Sequence, residues 1–293
     1  MSRGWRLVRL DGPSGQRLGA VAPDVPDRIA LLDGSDPIEL LRPSALAEQA
    51  ATETVDVDPD TLEPREQWRL TLPTDCPEVW CAGVTYERSR DARVEESQTE
   101  ARDAYSLVYE AERPELFLKD AGRRRTVGQR ARIGIRSDSA WNVPEPELGL
   151  VLGERGALLG VTAGNDVCSR DIEGANPLYL PQAKVYAGAC AIGPAVLVPE
   201  SWEEPFEIRL RIRRNGETLF EGETTTARMK RTFQELAEFC VRDNPVPPGS
   251  VLLTGTGLVP PDDFTLDPGH EVEVEISGVG RLVNEVTKAE ELL

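Results

Sequence analysis

The chain has 293 residues, 40% of them hydrophobic, and a formal charge of −18 at pH 7. That length allows one large domain, or a domain with a smaller appendage, and a real core. The acid excess argues against nucleic acid or an anionic membrane as a partner, and no apolar run approaches the length of a spanning helix.

The first ten residues lack the apolar stretch and small-residue cleavage site of a signal peptide, and read as a first strand. Residues 5–10, 17–22 and 28–32 are predicted strands separated by turn signals. A helical stretch over 37–51 follows, and 71–75 reads as a linker. Residues 1–72 are therefore expected to form a small N-terminal α+β domain, and 73–293 the larger one. Residues 78–83 read as a buried strand. Residues 86–112 contain neither Pro nor Gly and favour helix. Their sparse apolar positions place that helix on the surface or over a cleft, as a candidate lid. From Pro114 onward strands dominate. Residues 115–119 and 132–135 are short ones. Ile208, Leu210 and Ile212 alternate before Asn215-Gly216, a hairpin signal. Phe233, Leu236, Ala237, Cys240 and Val241 trace one amphipathic helix. Residues 251–254 form a buried strand, and Val272, Val274 and Ile276 alternate in the last long one. The expected class is a β-rich, mixed α/β fold.

The five cysteines, Cys76, Cys81, Cys168, Cys190 and Cys240, are odd in number and form no Cys-x-x-Cys. They read as reduced, mostly buried thiols of a cytoplasmic protein. His270 is the only histidine and sits in a turn before a strand, which leaves Ser-His-Asp and Cys-His schemes without their base. The lysines are Lys119, Lys184, Lys230 and Lys288 alone, in a chain that otherwise uses Arg. A retained lysine is expected where a proton must be released, which Arg cannot do.

Glu145 and Glu147, in Val-Pro-Glu-Pro-Glu-Leu, lie two apart and share one strand face. A two-residue turn at Arg155-Gly156 sets Asp166 opposite Glu145, on that same face. Three carboxylates that close repel unless a cation neutralises them or one keeps a proton. An all-oxygen set suits a hard ion, Mg²⁺ first, with Mn²⁺ or Ca²⁺ as alternatives. The lesser alternative, which Pro144 and Pro146 would suit, is a plain polar edge strand.

Several segments occur together in order: Cys81-Ala-Gly-Val-Thr-Tyr86, Pro114-Glu-Leu-Phe-Leu-Lys119, Pro144-Glu-Pro-Glu-Leu148, Gly164-Asn-Asp-Val-Cys-Ser-Arg-Asp171, Lys184, Leu253-Thr-Gly-Thr256 and Val279-Gly-Arg-Leu-Val-Asn284. Over residues 75–288 the chain resembles the fumarylacetoacetate hydrolase family. The resemblance implies a mixed β-roll around a divalent metal in a homodimer or homotetramer, with Glu145, Glu147 and Asp166 as ligands. Two departures stand out. Ser89 occupies the place where hydrolases of the family carry a His that helps activate water, and Gly257 follows Gly255-Thr256 where they carry Pro. With the Asn176–Lys184 segment, these features resemble the family's 2-keto-3-deoxy-pentonate dehydratases.

For such a reaction a 2-keto acid substrate would chelate the metal, which stabilises the charge that develops when a C3 proton leaves. Loss of the C4 hydroxyl needs an acid, and Lys184 and Glu115 are the candidate acid/base pair. A lysine that is partly desolvated beside a metal is expected to have a lowered pKa. Tyr86, Ser89, Arg170, Gln182 and Thr256 are the candidate substrate contacts. Arg170 has a second reading, as the neutraliser of Asp171. Thr256 can equally be a turn residue, and Tyr86 and Ser89 helix-entry residues. Two other functions stay open, a C–C hydrolase of an acylpyruvate and a non-catalytic metal-binding protein.

Overall fold

The computed structural model describes residues 4–33, 36–49, 53–65, 67–88 and 102–293. Two sheets pack face to face across the main core. The larger one runs Glu53–Asp56, Arg28–Leu32, Gly15–Val21, Gly4–Gly12, Cys190–Pro199, Leu158–Asp166, Pro146–Leu152, Val251–Leu253, Glu78–Gly83, Glu115–Ala121. The smaller has five strands, in the order Glu217–Thr225, Glu207–Arg214, Glu271–Ile276, Gly280–Lys288, Ile133–Ile135.

Alternation along Pro146–Leu152 decides which side chain sees which environment. Leu148, Leu150 and Leu152 face the smaller sheet and pack with Ile208, Leu210, Ile212 and Val274. Helix Phe233–Val241 adds Leu236, Ala237 and Cys240 to that core, as its period predicts. Val151 points the other way, into a cluster with Cys81, Cys190, Ile192 and Leu253. The site lies on this second face.

The larger sheet curls around that face. Strand Glu115–Ala121 closes one end, and the next strand, Thr126–Val127, pairs in parallel with Cys190 and Ala191. The chain thus returns to a strand several places back along the order. Glu145, Glu147 and Asp166 lie buried within the resulting roll.

The predicted N-terminal segment joins this sheet edge-on, Leu7 pairing with Val196 and Trp5 with Val198. One of its faces has its own core of Val8, Leu10, Val21, Ile29 and Leu31, and the other shares the roll's cluster through Leu7, Leu18 and Leu32. Helix over 37–51 resolves into two short pieces, Pro37–Leu40 and Pro43–Glu48. The break falls at Arg42, whose φ −139 and ψ 136 are the extended values that a following proline imposes. Asn215 and Gly216 both take positive φ, 51 and 84, and make the predicted hairpin turn. Of the helix predicted over 86–112, Arg102–Glu110 is helical, while 89–101 lie outside the described residues. Arg231 ties down its end, donating to the carbonyls of Val108, Ala111 and Glu112. No helix among the described residues is long and apolar enough to cross a membrane.

Candidate metal centre and active site

The hairpin puts Pro146 opposite Asn165 and Glu147 opposite Gly164, and the Asp166 N–H donates to the Glu145 carbonyl at 3.0 Å. The predicted register therefore holds, but the turn differs. The Gly153 N–H reaches the Ala157 carbonyl at 2.7 Å, which closes a three-residue loop over Glu154–Gly156. A bulge between Val151 and Leu152 then restores the register. Pro146 is tolerated because the Val251–Leu253 ladder pairs only with residues 149–151 on that side. The Glu145 N–H finds the Asn165 side-chain oxygen at 3.1 Å instead.

Glu145, Glu147 and Asp166 are all buried and bring one carboxylate oxygen each within 4.8 Å of one another. Burial, then the charges of Asp166 and Glu145, push the Glu147 carboxyl well above the usual carboxylate range. Three cations answer this charge. Lys184 Nζ bridges Glu145 Oε2 at 2.7 Å and Asp166 Oδ2 at 2.8 Å. Arg170 Nη2 meets Glu145 Oε1 at 3.1 Å. Lys119, fully buried, pairs with Asp166 Oδ1 and donates to the Val167 carbonyl at 2.9 Å. Lys184 thus stands where a cation is wanted, between two of the three carboxylates. That stand-in and the all-oxygen donor set fit a hard divalent ion.

Gly255 supplies the remaining contact, its N–H donating to Glu147 Oε2 at 2.7 Å. It has φ +89, and a Cβ there would lie 2.1 Å from Thr85 Oγ1. Thr85 holds the approaching chain by donating to the Thr254 carbonyl at 2.6 Å, and Thr254 Oγ1 donates to the Leu148 carbonyl at 2.9 Å. Gly255→Ala should therefore lower stability by about 1–3 kcal/mol. A thermal melt checks this, and an unchanged midpoint would contradict the strain.

Glu115 and Phe117 alternate on one face of their strand, and both line the pocket over the three carboxylates, with Lys184 and Thr256. Glu115 presses on Gly83, where a Cβ would lie 2.0 Å from Glu115 Oε2. Thr256 keeps its hydroxyl in a local turn, donating to the Leu258 carbonyl at 3.0 Å. Tyr86 is fully buried beside the pocket rather than in its lining, and its hydroxyl has no partner among the described residues. Its ring explains Gly257: a Cβ there would come within 2.5 Å of it. Arg170 meets Glu145 and not Asp171, which accepts from Ser139 Oγ at 2.6 Å and the Ala140 N–H at 2.8 Å. Gln182 is exposed and does not line the pocket. Ser89 lies outside the described residues. His270 is a turn residue, its Nδ1 accepting from the Asp267 N–H at 3.2 Å.

The lowered pKa expected for Lys184 is not what the metal-free site produces. Burial, the largest single influence, does act in that direction, but Asp166, Cys168, Glu145 and Glu173 together outweigh it and raise the ammonium's pKa well above the ordinary value. Two participants escaped the sequence reading. Lys119 was open to the same argument as Lys184, since it is one of only four lysines. Glu173 lines the pocket, buried, and accepts from Cys168 Sγ at 2.7 Å; nothing in its local sequence marks it.

Residues 78–287 match the family described as fumarylacetoacetate (FAA) hydrolase C-terminal. The chain is 50% identical over 238 residues, 80% of each chain, to a probable 2-keto-3-deoxyxylonate dehydratase of Haloferax volcanii. It is 44% identical over 224 residues, 75% of each, to the 2-dehydro-3-deoxy-D-arabinonate dehydratase of Saccharolobus solfataricus. A solved 2-keto-3-deoxy-D-arabinonate dehydratase complexed with magnesium and 2,5-dioxopentanoate superposes with a TM-score of 0.83 at 36% identity, over 97% of this chain and 99% of the other.

Proposed function

The chain belongs to the fumarylacetoacetate hydrolase family, and from that premise we propose that it is a Mg²⁺-dependent dehydratase converting a 2-keto-3-deoxy-pentonate to 2,5-dioxopentanoate and water. The observation that carries this reading is one pocket that gathers, with a lysine and a further carboxylate, three carboxylates close enough to share a metal ion. Relatives whose names state this activity support it.

Glu145, Glu147 and Asp166 would hold the divalent ion, which when bound would supply Lewis-acid stabilisation of the charge left by loss of a C3 proton. The rest falls to side chains. Lys184 and Glu115 border the same pocket, so one can take the C3 proton while the other protonates the departing C4 hydroxyl. Loss of water leaves a C3=C4 double bond. A proton shift from the C5 carbinol carbon to C3 then gives a C4=C5 enol, and transfer of the enol hydroxyl proton to C4 gives the terminal aldehyde. Thr256 and Phe117 also line the pocket.

The proposal also places the protein in the cytoplasm, because its five cysteines are free and buried, and in a homodimer or homotetramer, as the family resemblance implies.

The test is product identification after incubation with Mg²⁺ and a panel of 2-keto acids. The expected product from a 2-keto-3-deoxy-pentonate is 2,5-dioxopentanoate, read by a coupled aldehyde dehydrogenase. Cleavage of acylpyruvates to pyruvate, with the deoxy-keto acids untouched, would replace this reading by the hydrolase. Inertness toward the whole panel would leave a binding protein.

A further inference from the structure

Each of the three ligand carboxylates turns one particular oxygen to a donor of the protein. Glu145 gives Oε1 to Arg170 Nη2 at 3.1 Å. Glu147 gives Oε2 to the Gly255 N–H at 2.7 Å. Asp166 Oδ1 is held by Lys119 through an ion pair, a charge contact and not a hydrogen bond. These three donors come from a helix, a glycine loop and the edge strand of the roll, so no single element of local structure makes the pattern. The other oxygens of Glu145 and Asp166 are the pair that Lys184 bridges.

We infer that Lys119, Arg170 and the Gly255 N–H act as tethers that hold each ligand carboxylate to one oxygen, and that this sets the site's preference for Mg²⁺ over Ca²⁺. The inference rests on the reading that these carboxylates bind a divalent ion. Mg²⁺ demands near-ideal octahedral geometry at short range, which the narrow two-oxygen bite of a single carboxylate suits poorly. Ca²⁺ takes six to eight oxygens and is commonly held by carboxylates through both. Three tethered carboxylates would offer one oxygen each, fewer than Ca²⁺ takes. A released Asp166 can swing to offer two.

Lys119 is the tether best suited to test. It is fully buried, its ammonium serves only Asp166 and the Val167 carbonyl among the described residues, and it does not line the pocket. Lys119→Met removes the donor and the charge, and Lys119→Gln removes the charge but keeps an N–H donor. Calorimetry of the full chain with MgCl₂ and with CaCl₂ reads both affinities without any turnover. Lys119→Met should weaken Mg²⁺ about 10- to 100-fold, the usual cost of losing an outer partner of a ligand, and weaken Ca²⁺ far less. Lys119→Gln should keep most of the wild-type ratio.

A role through charge alone predicts otherwise. Both variants would then bind both ions more tightly, with the ratio unchanged, and that result overturns the inference. A second measurement needs no variant. On Mg²⁺ loading of the wild-type protein, one-oxygen ligation widens the splitting between the antisymmetric and symmetric carboxylate stretches. A narrowed splitting overturns the inference whether or not Lys119→Met folds. Absence of any divalent binding to the wild type would instead sink the reading of the metal site itself. Mg²⁺ binding with the predicted ratios but no dehydration would sink only the proposed reaction.

Discussion

Glu147→Gln is expected to abolish both turnover and tight Mg²⁺ binding while leaving the fold intact. Glu147 is buried, and its Oε2 accepts from the Gly255 N–H at 2.7 Å. A glutamine of the same shape keeps that bond through its carbonyl oxygen. It then presents its NH₂ group, a donor, to the place where a cation needs an acceptor. The loss in Mg²⁺ affinity should exceed the roughly 10²-fold that follows from losing an outer partner. Stability moves the other way. Burial and two neighbouring carboxylates already disfavour the Glu147 charge in the metal-free protein. Removing that charge should let the metal-free variant melt no lower than the metal-free wild type. Calorimetry and a thermal melt with chelator check the two halves. Full turnover in this variant, or in chelator-stripped protein, would remove the metal from the reaction.

Lys184→Arg separates charge from proton transfer. Lys184 Nζ lies 2.7 Å from Glu145 Oε2 and 2.8 Å from Asp166 Oδ2, almost completely buried. Arg keeps the positive charge and the donors but cannot release a proton near neutral pH. As a member of the acid/base pair, Lys184 should lose roughly 10²-fold or more in kcat on this change. Steady-state kinetics give the split, since a binding role would raise KM with kcat preserved. A melt and a Mg²⁺ affinity show whether the larger guanidinium has disturbed the pocket. Near-normal kcat in a folded, metal-binding variant would reject the role.

Much of this site was legible in the chain alone. Strand alternation put Glu145 and Glu147 on one face, and the hairpin register set Asp166 beside Glu145 even though the loop has three residues and not the two expected, because these are relations between near neighbours on one hairpin. The scarcity of lysine pointed to Lys184, and applied evenly it points to Lys119 as well. His270 was readable as a turn residue. The amphipathic helix Phe233–Val241 and the Asn215-Gly216 hairpin followed from period and turn chemistry. Only the tertiary structure decided which donor reaches which oxygen. Lys119 meets Asp166 because the sheet curls until its edge strand faces the hairpin, 47 residues further along the chain. Arg170 meets Glu145 rather than its neighbour Asp171 because Ser139 and the Ala140 N–H have already taken Asp171. The Gly255 N–H reaches Glu147 because Thr85 and Thr254 hold its loop against the hairpin. Periodicity carries no record of such contacts. They depend on how far a sheet bends and on which acceptors are already satisfied, and both are properties of the packed chain.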